Sequence, residues 1–467
     1  MDRIDLLDSG FLYLESREAP MHVAGLNLFK FPARAHQRKF MARLDESYRS
    51  TTELRKPFAH HVAHGALGRF GPLYWEHDDD LDLDYHVQHS ALPQPGRYRE
   101  LFALVARLHS TLLDRSRPLW EAHLIEGLQN REFAVYTKIH HAAVDGVAGI
   151  RLTEGCCSPD PNASLNMSPL SIEAHEKYKA QHGHTRDSDL APSEFELKAM
   201  AEFFKAQFDT SAHFLGVIKN YAATWLGLGQ GLAVPWRHVP HTMINTEVSS
   251  SRRFVAQSWS IDRVRAVSEA AGVTINDVVL AMCSGALRRY LEEQGELPEH
   301  SLRALVPVSV REKNDFDSPL AISYIIADLG TRHADPADRL ETITESTRAG
   351  KDMLGDLTSR EASLYATLMQ TPLFIASMMG VADWFPPVST VISNVPGPKE
   401  QLYWNGAPLL GSYPVSAVFH GFALNITFVS YHGNLDFGII ACRRTVPGVQ
   451  RLIDYLEQSL AELEEMV

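Results

Sequence analysis

Tyr136–Ile150 reads YTKIHHAAVDGVAGI, and the rest of the chain is organised around it. The approach to it, residues 133–140 (FAVYTKIH), has the apolar, β-branched and aromatic content of a strand. Asp145-Gly146 and the apolar run that follows read as a turn into a helix. Two adjacent histidines therefore stand where a strand ends, at the mouth of a sheet. Side chains alternate along a strand, so His141 shares a face with Phe133, Val135, Thr137 and Ile139, while His140 points the other way. Only one of the two rings can look into a given cavity.

An imidazole, with a reference pKa of about 6.5, is suited to taking a proton from a hydroxyl as that oxygen attacks an ester or thioester. Asp145 comes just before a helix start, where a carboxylate caps backbone amides, and its expected role is structural support. Gly146 permits close backbone approach or a positive φ. A metal pair at His140 and His141 is disfavoured because neighbouring strand residues diverge and no Cys or acid has ligand spacing. His60, His61 and His64 lie at helical spacing without a Cys or an H-E-x-x-H glutamate, and the acid run within Leu73–Val87 reads as a solvated turn, so no metal is assigned. There is no G-x-S-x-G nucleophile elbow, no G-x-G-x-x-G and no Walker lysine loop.

The 467 residues exceed one ordinary core and predict two domains of roughly 150 to 220 residues. A composition of 45% hydrophobic and 22% charged residues is globular, and a net charge of -13 argues against a nucleic-acid partner and against purely electrostatic binding to an anionic bilayer. Four cysteines without C-x-x-C pairing suit a reducing compartment. No run reaches the ~18 uninterrupted apolar residues of a membrane span. These features predict a cytoplasmic protein, at most peripheral to the inner membrane or a lipid droplet.

Along the chain, a short helix precedes a strand at His22–Phe29, and Phe40, Met41, Leu44 and Tyr48 give one buried side to a helix over Gln37–Tyr48. Arg99–Leu113 is expected to be helical with Leu101, Leu104, Val105, Leu108 and Leu112 on one face. Glu121–Leu128 and Glu132–His140 pair as a hairpin through Gln129–Arg131. Composition then sets three parts: 1–157 carrying the histidines, a linker and helical connector over 158–244, and a second domain over 245–467. Within the connector, Glu194–Leu226 has a broad apolar surface that reads as interdomain packing. The second domain alternates strands (Arg252–Ser260, Leu302–Arg311, Ala321–Leu329, Val388–Val395) with helices (Ile261–Ala271, Thr274–Glu293, Arg339–Met353, Glu361–Met379). It closes with a hairpin over Phe422–Cys442 and an amphipathic helix. The fold class is α/β (α+β), with strands and helices interleaved in both halves.

Thr274-Ile275-Asn276-Asp277 heads one of these helices. Thr274 and Asp277 form a relative of the capping box, which accounts for Asp277 and leaves Asn276 free to aim its amide past the helix end at a developing oxyanion.

Pro118-Leu119-Trp120, HHAAVDG at His140–Gly146, Asn276-Asp277 and Ile392–Pro398 (ISNVPGP) together resemble the bacterial wax ester synthase/acyl-CoA:diacylglycerol acyltransferase family. A weaker likeness runs from the opening LDSGFLYLES through Pro20–Val23 (PMHV) to the last hairpin. H-H-x-x-x-D-G alone is shared with condensation domains and other acyltransferases; the later motifs carry the family specificity. The resemblance implies two chloramphenicol-acetyltransferase-like domains with the active site in a tunnel between them. It implies acyl-CoA as substrate rather than a cofactor, and a long-chain alcohol or diacylglycerol as acceptor. His141 matches the catalytic base, Asp145 its support and Asn276 an oxyanion contributor; His140, Gly146 and Asn394 fall in substrate-binding motifs. The chain departs from the family at Ser318-Pro319 and at Ala327-Asp328. A helix wall at Leu364, Leu368 and Met369 is one expected limit on chain length.

Overall fold

The computed structural model describes residues 2–4, 6–65, 71–144, 146–182, 224, 233–310, 321–355, 357, 361, 365, 384 and 386–467. The first half holds β1 (Asp2–Arg3), α1 (Leu6–Leu14), β2 (His22–Lys30), α2 (Gln37–Arg49), β3 (His60–His64), β4 (Leu73–His77), α3 (Leu83–His86), β5 (Val87–Ala91), α4 (Tyr98–Leu108), β6 (Trp120–Glu126), β7 (Glu132–His140), α5 (Gly146–Cys156) and α6 (Ile172–His182). The second half holds β8 (Arg252–Ser260), α7 (Ile261–Ala271), α8 (Ile275–Glu293), β9 (Arg303–Val310), β10 (Ala321–Asp328), α9 (Pro336–Gly355), β11 (Thr390–Pro396), β12 (Tyr403–Trp404), β13 (Ala407–Val415), β14 (Leu424–Tyr431), β15 (Asn434–Cys442) and α10 (Arg451–Met466).

The strands form two large sheets, β12-β13-β2-β7-β6-β5 and β10-β9-β11-β14-β15-β8, and a small one, β1-β4-β3. In the second sheet, Ala304, Val306, Ile392, Ile426 and Phe428 face a core filled by α8 and α10, through residues such as Val278, Met282, Leu456 and Leu460. That core holds α8 on one side of the sheet. Thr274 and Asp277 cap it reciprocally as the sequence predicts: the Asp277 N–H donates to Thr274 Oγ1 (3.2 Å) and the Thr274 N–H to Asp277 Oδ2 (3.0 Å). Thr347 Oγ1 donates to the other Asp277 oxygen at 2.7 Å, tying α8 to α9.

Six strands are absent from the sequence reading, β1, β3, β4, β5, β12 and β13, and of these β13 bears most on the cavity. β13 (APLLGSYPV) comes from the second half yet pairs antiparallel with β2 of the first, Ser412 opposite Asn27 and Pro414 opposite Gly25. Its two prolines and its glycine suppress the period-2 signal, and its register is irregular between Leu409 and Gly411. β13 also lies close against β15: a Cβ on Gly438 would come within 1.8 Å of the Pro414 carbonyl oxygen, so only glycine permits the two sheets to approach this closely.

Two other expectations change. His60, His61 and His64 lie on β3, paired with β4, with His61 3.6 Å from Glu76; strand pairing overrides their helical spacing. α4 ends at Leu108, and Leu112 is 40% exposed instead of facing the core. Ser318-Pro319, nearly all of Glu194–Leu226, and the helix wall at Leu364, Leu368 and Met369 lie outside the described residues. The departure at Ala327-Asp328 has a local account: Asp328 Oδ1 accepts the Gly330 N–H at 3.0 Å and so shapes the turn leaving β10. Among the described residues no single helix is long and apolar enough to cross a membrane. α7 and α8 pass that test only as a pair bent by 104°, and α8 is core.

Asp436 joins the two large sheets. Fully buried on β15, it accepts from Ser258 Oγ on β8 (2.6 Å) and from the Ser412 N–H on β13 (2.8 Å). Burial pushes its carboxyl up to about 6, against the lowering effect of those two donors. An acid whose folded pKa lies above its unfolded value favours the fold fully below the unfolded pKa and loses that contribution as pH rises through the folded one. Asp436→Asn is therefore expected to gain on the wild type by about 1–3 kcal/mol as pH rises from about 4 to about 6, levelling off above. Urea midpoints for both proteins across that range check the sign.

Candidate active site

The parity read from the sequence sets the geometry. Val135, Thr137, Ile139 and His141 all line a cavity of about 370 Å³ between the two large sheets, within the usual range for small-molecule sites. The first half also supplies Val23, Gly25, Asn27 and Phe29 from β2 and Ile150, Leu152 and Thr153 from α5. The second half supplies Leu305 and Pro307 from β9, Val391, Ser393 and Asn394 from β11, and Asn425 and Thr427 from β14. The wall is mostly apolar. A smaller depression of about 190 Å³ beside Arg43 and Asn162 shares no residue with it.

His141 is half-buried on this wall, just past the end of β7. Its N–H donates to the Met21 carbonyl at 2.9 Å, and its ring stacks on Phe11 of α1 with centroids 4.1 Å apart and planes 15° from parallel. His140 corrects an expectation. It is fully buried on the opposite face and lines no part of the cavity, so it is support and not substrate contact. Its Nδ1 accepts the Ala142 N–H at 3.1 Å, which leaves Nε2 to carry the hydrogen, 3.4 Å from Glu15 Oε1.

The sequence reading missed Glu15. Its side chain is 2% exposed; one oxygen accepts the Met21 N–H (3.1 Å) and faces His140, while the other accepts from Arg115 Nη2 (2.9 Å) and Nε (3.1 Å). Burial alone would raise its pKa, but His140, Arg115 and the Met21 amide outweigh it and hold the carboxyl below its ordinary value. Glu15 thus fastens the end of α1 to the histidine pair, in the stretch that also carries Phe11 and Met21. In the sequence it is one acid among many, and only its place in the LDSGFLYLES stretch marks it.

The Pro118-Leu119-Trp120 motif has a comparable role. The Leu119 carbonyl accepts the His140 N–H (2.9 Å), and Trp120, fully buried, donates from Nε1 to the Phe58 carbonyl (2.8 Å) and stacks on His86. Behind β7, Lys138 pairs with Glu121 at 2.9 Å and His109 bonds Tyr136 at 2.8 Å, so the face of the strand away from the cavity is a buried polar network. Burial and the Lys138 charge press the His109 imidazole down to about 3, which keeps it neutral.

Asn394 lies on the cavity wall, at the end of β11 where ISNVPGP leaves the sheet. Gly397 there permits the backbone to approach Ser430, whose carbonyl oxygen would lie 2.6 Å from an added Cβ. Asp145 lies outside the described residues, and Gly146 is the first residue of α5. Asn276 corrects a second expectation. It is the second residue of α8, half-buried and not among the cavity-lining residues, because α8 packs on the far face of its sheet from the cavity. No group of three or more His, Cys, Asp or Glu residues is placed to hold a metal among the described residues, and all four cysteines are free and buried.

Comparison with known proteins accords with this geometry. The family model described as "Wax ester synthase/diacylglycerol acyltransferase catalytic domain" matches residues 4–279, and "WS/DGAT C-terminal domain" matches 321–464. A Mycobacterium tuberculosis protein named "Probable diacyglycerol O-acyltransferase tgs2" is 42% identical over 478 residues, covering 100% of both chains. The solved wax ester synthase/diacylglycerol acyltransferase from Marinobacter aquaeolei VT8 is 38% identical with a TM-score of 0.78, covering 100% of this chain and 99% of that one. The first condensation domain of the CDA synthetase, 16% identical, shares the fold at a TM-score of 0.57 over 100% of this chain and 95% of its own. With both family models in chain order and His141 at the cavity, the chain belongs to the wax ester synthase/diacylglycerol acyltransferase family.

Proposed function

We propose that this chain transfers a long-chain acyl group from acyl-CoA to the hydroxyl of a long-chain alcohol, making a wax ester, and to diacylglycerol, making a triacylglycerol. The observation that carries the reading is the placement of His141 on the wall of a mostly apolar cavity built by both halves of the chain. The His141 imidazole takes the hydroxyl proton as that oxygen attacks the thioester carbon. When the tetrahedral intermediate collapses, the C–S bond breaks and the imidazolium returns the proton to the departing CoA thiolate. Holding both substrates at one base makes the transfer direct, with no acyl-enzyme and no resident cofactor. Asp145 supports the imidazole and Asn394 lines the substrate path; Asn276, off the cavity wall, is assigned no part in the chemistry. Both the acceptor and the product are lipids, so the enzyme works against a membrane or lipid-droplet surface.

The test is incubation of purified protein with palmitoyl-CoA and, separately, hexadecanol, diacylglycerol or a short alcohol, following free thiol and extracted lipid. The expected result is acceptor-dependent release of CoA matched mole for mole by ester. CoA release without ester would make the protein a thioesterase, and no CoA release with any acceptor would remove the transferase reading.

A further inference from the structure

Where the second sheet faces the cavity, a polar strip interrupts a largely apolar wall. β11 and β14 pair in parallel, with Val391 beside Asn425, Ser393 beside Thr427 and Val395 beside Val429, and all six residues line the cavity. Asn425, Thr427 and Ser393 therefore share a patch about 7 Å long, at a strand rise near 3.3 Å per residue. The three valines and the neighbouring Leu305 and Pro307 of β9 present only hydrocarbon side chains.

The strip holds unused donors. Thr427 Oγ1 donates to Asn425 Oδ1 at 2.7 Å, which fixes the amide and leaves its Nδ2 end over. Among the described residues Asn425 Nδ2 has no acceptor, and the Ser393 hydroxyl has no hydrogen-bond partner. Asn425 is only 6% exposed, so leaving that donor unmatched is costly, and a ligand that brings an acceptor removes the cost. The strip also lies toward the base. Arg252 Nη2 donates to the Glu18 carbonyl (2.7 Å) and to the Val418 carbonyl (3.2 Å). The chain running into Met21, whose carbonyl holds the His141 N–H, thus meets the chain running into β14 at one end of the cavity. From that end, Asn425 is the first residue of β14 to line the wall.

Resting on the acyltransferase reading above, we propose that Asn425, with Ser393 beside it, donates hydrogen bonds to the ester carbonyls of diacylglycerol and so sets the balance between diacylglycerol and a simple alcohol as acceptor. Diacylglycerol carries two ester carbonyls close to its reacting hydroxyl. A fatty alcohol carries none, and apolar wall is all it needs. The thioester of the acyl donor offers the same chemistry, a carbonyl oxygen, but only one. The strip instead presents donors from two strands, with Thr427 holding the Asn425 amide in place between them.

The experiment compares three acceptors at fixed palmitoyl-CoA: hexadecanol, dipalmitoylglycerol and dihexadecylglycerol, an ether that keeps the hydroxyl and both chains but lacks the carbonyls. In the wild type the diacyl acceptor is expected to exceed the dialkyl one by at least about ten-fold in kcat/KM, the worth of a hydrogen bond to a buried donor. Asn425→Leu keeps a branched side chain and removes the donor. In it the diacyl-to-dialkyl and diacyl-to-hexadecanol ratios are each expected to fall about ten-fold. Ser393→Ala, at a less buried position, is expected to lower the same ratios by a smaller factor, and it decides the matter if melting curves show that Asn425→Leu does not fold. A wild type indifferent to the carbonyls, or ratios unchanged by the substitution, overturns the assignment. A parallel loss with all three acceptors overturns it as well, since the strip would then serve the thioester of the donor. Ester from hexadecanol with none from diacylglycerol overturns it while sparing the transferase reading, and ester from no acceptor at all overturns that reading instead.

Discussion

His141→Ala is expected to lower kcat for ester synthesis by roughly 10² to 10⁴-fold while leaving the fold in place. The two halves of that expectation come from different observations. The rate loss follows from removing the only imidazole on the cavity wall among the described residues. The small structural cost follows from what the ring touches: it is half-buried and stacks on Phe11, a contact worth about 0.5–1.5 kcal/mol. His140→Ala should show the reverse balance. That ring is fully buried and bonded to the Ala142 amide and beside Glu15, so its loss strands buried polar groups at about 1–3 kcal/mol each. Initial rates with palmitoyl-CoA and hexadecanol, set beside urea midpoints, separate the two. Ester synthesis by His141→Ala at the wild-type rate would remove the general-base assignment.

The distinction between the two histidines was legible because it needs only the period of a strand, and the period of two survives any uncertainty about the rest of the fold. The capping box at Thr274–Asp277 was legible for a similar reason, since its partners are three residues apart. Where the sequence fell short, the partner was distant. β13 becomes a strand by pairing with β2, nearly four hundred residues earlier, and its prolines hide that; Ser412 meets Asn27 only because of it. β3 is a strand because β4 lies beside it, although its histidines fall at helical spacing. Asn276 shows the limit most directly. Sequence locates the head of α8 well enough to name its cap, but it does not say which face of the sheet that helix covers, and the face decides whether the amide meets the cavity.

Glu15→Ala is expected to reduce kcat by about 10²-fold with little change in KM, because the residue positions the base without touching the cavity; misplacement by about an ångström is enough for that loss. Its carboxylate is the point where α1, β2 and β7 are held together: it accepts the Met21 N–H, faces His140 and holds Arg115, which also bonds the Leu12 carbonyl. The Met21 carbonyl in turn accepts the His141 N–H, and α1 lays Phe11 against the His141 ring. Alanine leaves the Met21 amide without its acceptor and removes the carboxylate 3.4 Å from His140 Nε2, and His141 loses two of the contacts that orient it. Glu15→Gln keeps a carbonyl for the amide and gives up the charge facing Arg115, so it should recover part of the lost rate, an ordering that general destabilisation does not predict. The pH dependence supplies a second readout. Because the folded carboxyl titrates below its ordinary value, its stabilisation is present above the unfolded pKa near 4.3 and is lost as pH falls through the folded one. The stability gap between wild type and Glu15→Gln should therefore be full at pH 7 and close on acidification below about pH 4. A gap that persisted unchanged at pH 3 would mean that the charge of Glu15 is not what holds α1 against the histidines.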